Sequence, residues 1–184
     1  MRSLPVCNED HPPARVFLVG MMGAGKSTIG RRLARRLGCP HLDSDLQVEV
    51  ATGRSVPEIL RTDGEAAFRA AEKEALRAAV ATAGPVVVSV AGGAVLDPDN
   101  RDRLAAAGTV IWLRSPLSEL TRRVGDGHTR PLLGDDPAAA MARLYEARRP
   151  VYEALAHVAI DNDGPPERVV DRIVAALEAR GVPC

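Results

Sequence analysis

Residues Gly20 to Thr28 read G-M-M-G-A-G-K-S-T, in which Gly20, Gly25, Lys26 and Ser27 satisfy the spacing G-x-x-x-x-G-K-[ST]. That spacing suits one kind of chemistry, the grip on a chain of phosphates. Glycines at 20, 23 and 25 let the backbone turn its N–H groups inward around an anion, and a helix opening near Ser27 adds the positive end of its dipole. Lys26 would bring charge to the β- and γ-phosphates of a nucleotide, and the Ser27 hydroxyl would ligate Mg²⁺. A Gly-rich turn with an incidental lysine is the bland alternative. The apolar run Val16–Val19 before the motif and an amphipathic helix pattern after it are the context that phosphate binding requires.

A nucleotide loop leaves the acceptor open, so the other polar groups must define it. Asp43 and Asp45 close a short strand pattern, H-L-D-S-D, at the end where ligands bind in such sheets. One could support Mg²⁺ through water while the other accepts a hydroxyl proton; helix N-capping by Ser44 or Asp45 explains the same residues. Arg69 and Glu72 stand three apart on a long helix pattern, the spacing of an ordinary surface pair as well as of a site. Gly92-Gly93 permits close backbone approach to a small ligand, or a plain turn. Arg130 lies in G-D-G-H-T-R-P-L-L-G-D-D, a segment whose glycines and proline suit a mobile loop, from which an arginine can reach a transferring phosphate. His128, in the same loop, reads as solvent-exposed. Arg148 and Arg149 precede Pro150, where the helix pattern is expected to be interrupted, so one of them is placed to bind a carboxylate bidentately.

The elements that must position these groups alternate strand and helix patterns. Strands are expected near Val16–Val19, His41–Asp43, Val86–Val90, Thr109–Leu113 and His157–Ile160, with helices between them and an amphipathic helix over Pro165–Arg180. This alternation specifies a parallel α/β sheet. Residues 1–14 lack periodicity and read as a disordered leader, leaving 15–181 as a single domain. On the first helix, Arg31, Arg32, Arg35 and Arg36 read as a solvated face. The chain has 184 residues, 24 basic and 24 acidic, so its charge points to no nucleic-acid or membrane-surface partner. Cys7, Cys39 and Cys184 lack the spacing of a metal site and read as thiols of a reducing compartment. No long apolar run or signal-like stretch occurs; a cytoplasmic monomer is expected.

Taken together, G-M-M-G-A-G-K-S-T, L-D-S-D, T-G-R-S-V, D-G-E-A-A-F-R-A-A-E, A-G-G-A-V, T-R-P-L-L and R-R-P-V-Y, in this order from about Val16 to Ala176, resemble the shikimate kinase family. The resemblance implies a P-loop three-layer α/β/α fold with a five-stranded parallel sheet in the order 2-3-1-4-5 and a mobile lid over about 125–136. It also implies ATP-dependent phosphorylation of the 3-hydroxyl of shikimate, with Mg²⁺, in chorismate and aromatic amino-acid biosynthesis. On matching positions it makes Lys26, Asp45 and Arg130 catalytic, and assigns ATP to Gly23, Ala24, Gly25, Lys26, Ser27, Thr28, Arg123 and Arg130. Shikimate falls to Asp45, Arg69, Gly92, Gly93 and Arg148, with Glu72 holding Arg69 and the metal falling to Ser27 and Asp43. Two positions depart from the family pattern: Ala91 replaces the first of three glycines, and the adenine loop I-D-N-D-G-P-P has no arginine. The alternatives are gluconate kinase, which would not be expected to carry F-R-x-x-E together with A-G-G and T-R-P-L-L, and a silent P-loop module, which should have lost Lys26, Asp45 or Arg130.

Overall fold

The computed structural model describes residues 14–125, 133 and 136–182. Strand β1 (Arg15–Val19) is fully buried over its last four residues, the pattern of a parallel strand covered on both faces. It is followed by α1 (Lys26–Leu37), β2 (His41–Asp43), α2 (Ser44–Thr52), α3 (Val56–Thr62) and α4 (Gly64–Ala81). Then come β3 (Val86–Ser89), a 3-10 turn at Ala94–Leu96, α5 (Pro98–Ala107), β4 (Thr109–Arg114), α6 (Leu117–Val124), α7 (Pro137–Leu155), β5 (Val158–Asp161) and α8 (Pro166–Glu178). Caps fall where the residue types place them: Ser55 accepts from the Glu58 amide at 3.4 Å and Asp97 from the Asn100 amide at 3.3 Å.

The sheet is parallel throughout, in the order β2-β3-β1-β4-β5. Its order reverses at β1, which lies between β3 and β4, and the loop after β1 therefore opens into the crevice where such sheets bind ligands. The register pairs Ser89 with both Leu18 and Asp43, so the phosphate loop, the acids after β2 and the turn after β3 all leave from one rim. The main apolar core surrounds the sheet strands. A second, smaller cluster of Val48, Ile59, Phe68 and Ala75 welds α2, α3 and α4 together, fixing Asp45 and Arg69 relative to each other.

Two expectations need correction. Helix α7 runs unbroken through Pro150. The proline removes the bond to the Glu146 carbonyl, but both residues are exposed and water can satisfy that carbonyl. The arginines of α1 are more than a solvated face: Arg32 pairs with Glu167, and Arg36 with Asp171 at 3.1 Å, tying α1 to α8. These pairs are exposed, and each is worth up to about 1 kcal/mol. Among the described residues Cys39 forms no disulfide, and Cys7 and Cys184 lie outside them. No helix among the described residues is long and apolar enough to cross a membrane.

Candidate active site

The phosphate loop is held from both sides. Gly25, at φ 76°, caps α1 with no side-chain partner, a left-handed conformation that keeps the loop turned toward the helix start. Lys26 Nζ donates to the carbonyls of Gly20 at 2.8 Å and Met21 at 3.0 Å, so the ammonium lies along the rim a phosphate would occupy. Beyond β5, the buried Asn162 donates from Nδ2 to the Ala24 carbonyl at 2.7 Å, and Arg123 reaches the Gly23 carbonyl at 3.4 Å. Ala24 is itself buried; Gly23, Gly25 and Thr28 line the cavity above the loop.

The acids after β2 split their work. Asp43 Oδ2 accepts from the Ser27 hydroxyl at 2.5 Å, and its Oδ1 accepts from the Asp45 amide at 3.2 Å. Asp43 is therefore the N-cap of α2, which corrects the reading of Ser44 or Asp45 as the cap. Asp45 is exposed and faces the cavity, while Ser44 is fully buried and accepts from the Ala91 amide at 2.8 Å. Sequence reasoning missed this tether between the A-G-G turn and α2.

On α4, Arg69 donates through Nη1 to Glu72 at 2.9 Å and through Nε and Nη2 to Glu65 at 3.2 and 3.0 Å, with its guanidinium 5.0 Å from the Phe68 ring centroid. Glu72 is no ordinary surface pair. Its side chain is 3% exposed, and burial pushes its carboxyl above the usual range against the pull of Arg69 and Arg148. A Cβ at Gly93 would lie 2.5 Å from Arg69 Nη1, so any side chain there would push the guanidinium out of this position.

Helix α7 separates its two arginines. Arg148 is 4% exposed and its Nε has no hydrogen-bond partner among the described residues, whereas Arg149 is half exposed and pairs with Glu153 at 3.6 Å. Tyr152, also missed from the sequence, is buried beside Arg148 and donates to the Gly92 carbonyl at 2.8 Å. One cavity of about 490 Å³ brings together Lys26, Ser27, Asp43, Asp45, Arg69, Glu72, Gly92, Gly93 and Arg148. Arg123 stands at the flank of the loop; Arg130 and His128 lie outside the described residues, and of the expected lid only Gly125, Leu133 and Asp136 are described, Leu133 being packed in the main core. Among the described residues no group of three or more His, Cys, Asp or Glu side chains could hold a metal ion, so any cation here would be shared with phosphates and water.

A phosphate loop at the switch point of this sheet, opening onto a pocket lined by acids and arginines, defines a P-loop kinase of a small molecule. The family model described as shikimate kinase matches residues 22–178, and the chain belongs to that family. The shikimate kinase of Ruegeria pomeroyi is 47% identical over 167 residues, covering 90% of this chain and 85% of that protein. A solved shikimate kinase from Acinetobacter baumannii in complex with shikimate superposes with a TM-score of 0.86 at 34% identity, covering 94% of this chain and 96% of that one. A gluconokinase from Sinorhizobium meliloti shares the fold alone, with 23% identity and a TM-score of 0.61 over 92% of this chain and 94% of its own.

Proposed function

We propose that this protein transfers the γ-phosphate of ATP to the 3-hydroxyl of shikimate, giving shikimate 3-phosphate and ADP within chorismate and aromatic amino-acid biosynthesis. The observation that carries this reading is the single cavity that joins Lys26 and Ser27 on the phosphate side to Asp45, Arg69 and Arg148 on the acceptor side. Phosphoryl transfer needs little covalent help from a protein; positioning and charge neutralisation do most of the work.

At the nucleotide end, the backbone of Gly23, Ala24, Gly25 and Thr28 wraps the phosphates and Lys26 leaves its own loop carbonyls to neutralise charge on the transferring group. Arg123, on the Gly23 carbonyl, would sit by the adenine, and the role of completing the phosphate contacts falls to Arg130 by family resemblance. The Ser27 hydroxyl and Asp43 carboxylate make a hard-oxygen pair that would hold Mg²⁺ with water, Ser27 as a ligand and Asp43 as its support. Bound there, the ion would supply positive charge to the β- and γ-phosphates.

At the acceptor end, Asp45 is the carboxylate placed to take the proton of the attacking hydroxyl. Arg69 and Arg148 hold the carboxylate of shikimate, and the unpartnered buried Nε of Arg148 is a donor that an anion would satisfy. Gly92 and Gly93 give the ring close access to the backbone, and at Gly93 a side chain would displace the Arg69 guanidinium. One cavity carries residues of both the phosphate and the acceptor side, which supports action on a small molecule.

A coupled assay of ADP release with shikimate, run against gluconate, tests this reading. Turnover is expected with shikimate alone, and Lys26→Ala should lower kcat at least about 100-fold, the scale of one preorganised electrostatic contact. Turnover of gluconate but not shikimate, or near wild-type kcat in Lys26→Ala, overturns it.

A further inference from the structure

The hydroxyl of Tyr152 stands where three parts of the site meet. Tyr152 lies one turn after Arg148 on α7 and is 1% exposed. Its hydroxyl donates to the Gly92 carbonyl at 2.8 Å and lies 3.9 Å from Met21 Sδ at the start of the phosphate loop. The Arg148 guanidinium crowds the same spot: a Cβ at Gly92 would lie 3.5 Å from Arg148 Nη1 and 3.3 Å from the Tyr152 oxygen. Its ring stacks near Trp112, with centroids 6.0 Å apart. A Cβ at Gly92 would come within 3.3 Å of this oxygen and 3.1 Å of the Gly20 carbonyl, so the turn, the loop and the hydroxyl are already in contact.

Packing alone does not account for the oxygen, since phenylalanine would fill nearly the same volume beside Trp112. A phenol has one proton to give. Burial pushes its pKa up to about 12 despite the pull of Arg148, so the proton stays on through neutral pH and remains committed to Gly92. The lone pairs are left for Arg148, a long side chain whose buried head has an unpartnered Nε and needs a fixed reference.

We propose that Tyr152 is a positioning residue for the acceptor, its one hydroxyl locking the Arg148 guanidinium to the Gly92 carbonyl so that both meet the substrate in a fixed relation. This rests on the functional reading above, in which Arg148 and Gly92 bind shikimate. Tyr152 touches no reacting atom; it acts through Arg148.

Tyr152→Phe keeps the ring and deletes the oxygen. The KM for shikimate should rise about tenfold, the scale of one buried hydrogen bond to a charged group, with the KM for ATP within about twofold of wild type. In an Arg148→Lys background, where the guanidinium fork is gone, Tyr152→Phe should add little further, because the hydroxyl works through the arginine. An unchanged shikimate KM with only a lower melting temperature makes Tyr152 a packing residue and overturns the proposal. So does an equal rise in both KM values, or full additivity in the double variant. Wild-type protein assayed alongside separates the two readings: wild type inert toward shikimate sinks both, whereas active wild type with an indifferent Tyr152→Phe sinks this one alone.

Discussion

Arg148 and Arg149 are neighbours in the chain with opposite surroundings, and the difference has a measurable consequence. Truncating Arg148 removes a buried charge from the cavity, and Arg148→Ala should weaken shikimate binding by roughly 2–5 kcal/mol in calorimetry while ATP affinity changes little. Arg149→Ala loses only a half-exposed pair with Glu153 and should leave both ligands within about 0.5 kcal/mol. Loss of shikimate binding in Arg149→Ala with Arg148→Ala intact would reverse the assignment. The choice between them is legible in helical spacing: the buried positions of α7 include Met141, Arg148, Tyr152 and Leu155, a stripe of steps seven, four and three that admits residue 148 and excludes 149. The same test on α4 places Glu72 in the stripe Phe68, Glu72, Ala75, Leu76, Ala79, so a charged residue at a core position was the available signal that it is no surface partner.

Elements were easier to read than the links between them. Each strand and helix is marked by period, by a cap such as Asp97-Pro98, or by a glycine or proline stop, while α7 continues through Pro150 because a missing N–H on the exposed side of a long helix costs less than a break. What no local pattern carries is the hydrogen bond from Ala91 N–H to Ser44 Oγ, which joins residues 47 apart and ties the turn after β3 to the start of α2. Ser44→Ala leaves that buried amide without a partner and should destabilise the protein by about 1–3 kcal/mol in denaturant unfolding. Because the turn also carries Gly92 and Gly93, the shikimate KM should rise with the ATP KM unmoved. Wild-type stability in Ser44→Ala would mean that the tether is incidental and that the turn is set by Arg69 packed on Gly93 and by Tyr152 on the Gly92 carbonyl.

For the whole molecule, the order of the strands came from resemblance to a family and not from any pattern in the residues, since alternating strands and helices fit several parallel sheets; the pairing of Ser89 with both Leu18 and Asp43 is what makes one site out of three loops. That convergence buries Glu72 among charges from three helices: Arg69 on its own helix, Asp45 on α2 and Arg148 on α7. Burial raises its pKa, with Asp45 acting in the same direction and the two arginines opposing. A raised carboxyl holds its proton in the folded state to higher pH than in the unfolded chain. Its contribution to stability is thus present in full below the ordinary value of 4.5 and is lost as pH rises above it through the folded pKa. Glu72→Gln cannot titrate and has no such loss. The difference in melting temperature between the variant and wild type should therefore shift in the variant's favour as pH is raised from about 4.5 toward neutrality. At neutral pH the same variant should bind shikimate more weakly, because Arg69 loses its buried ionic partner and keeps the exposed Glu65. A difference that shifts in wild type's favour over that range would show that Arg69 and Arg148 outweigh burial and hold the Glu72 carboxyl below its ordinary value.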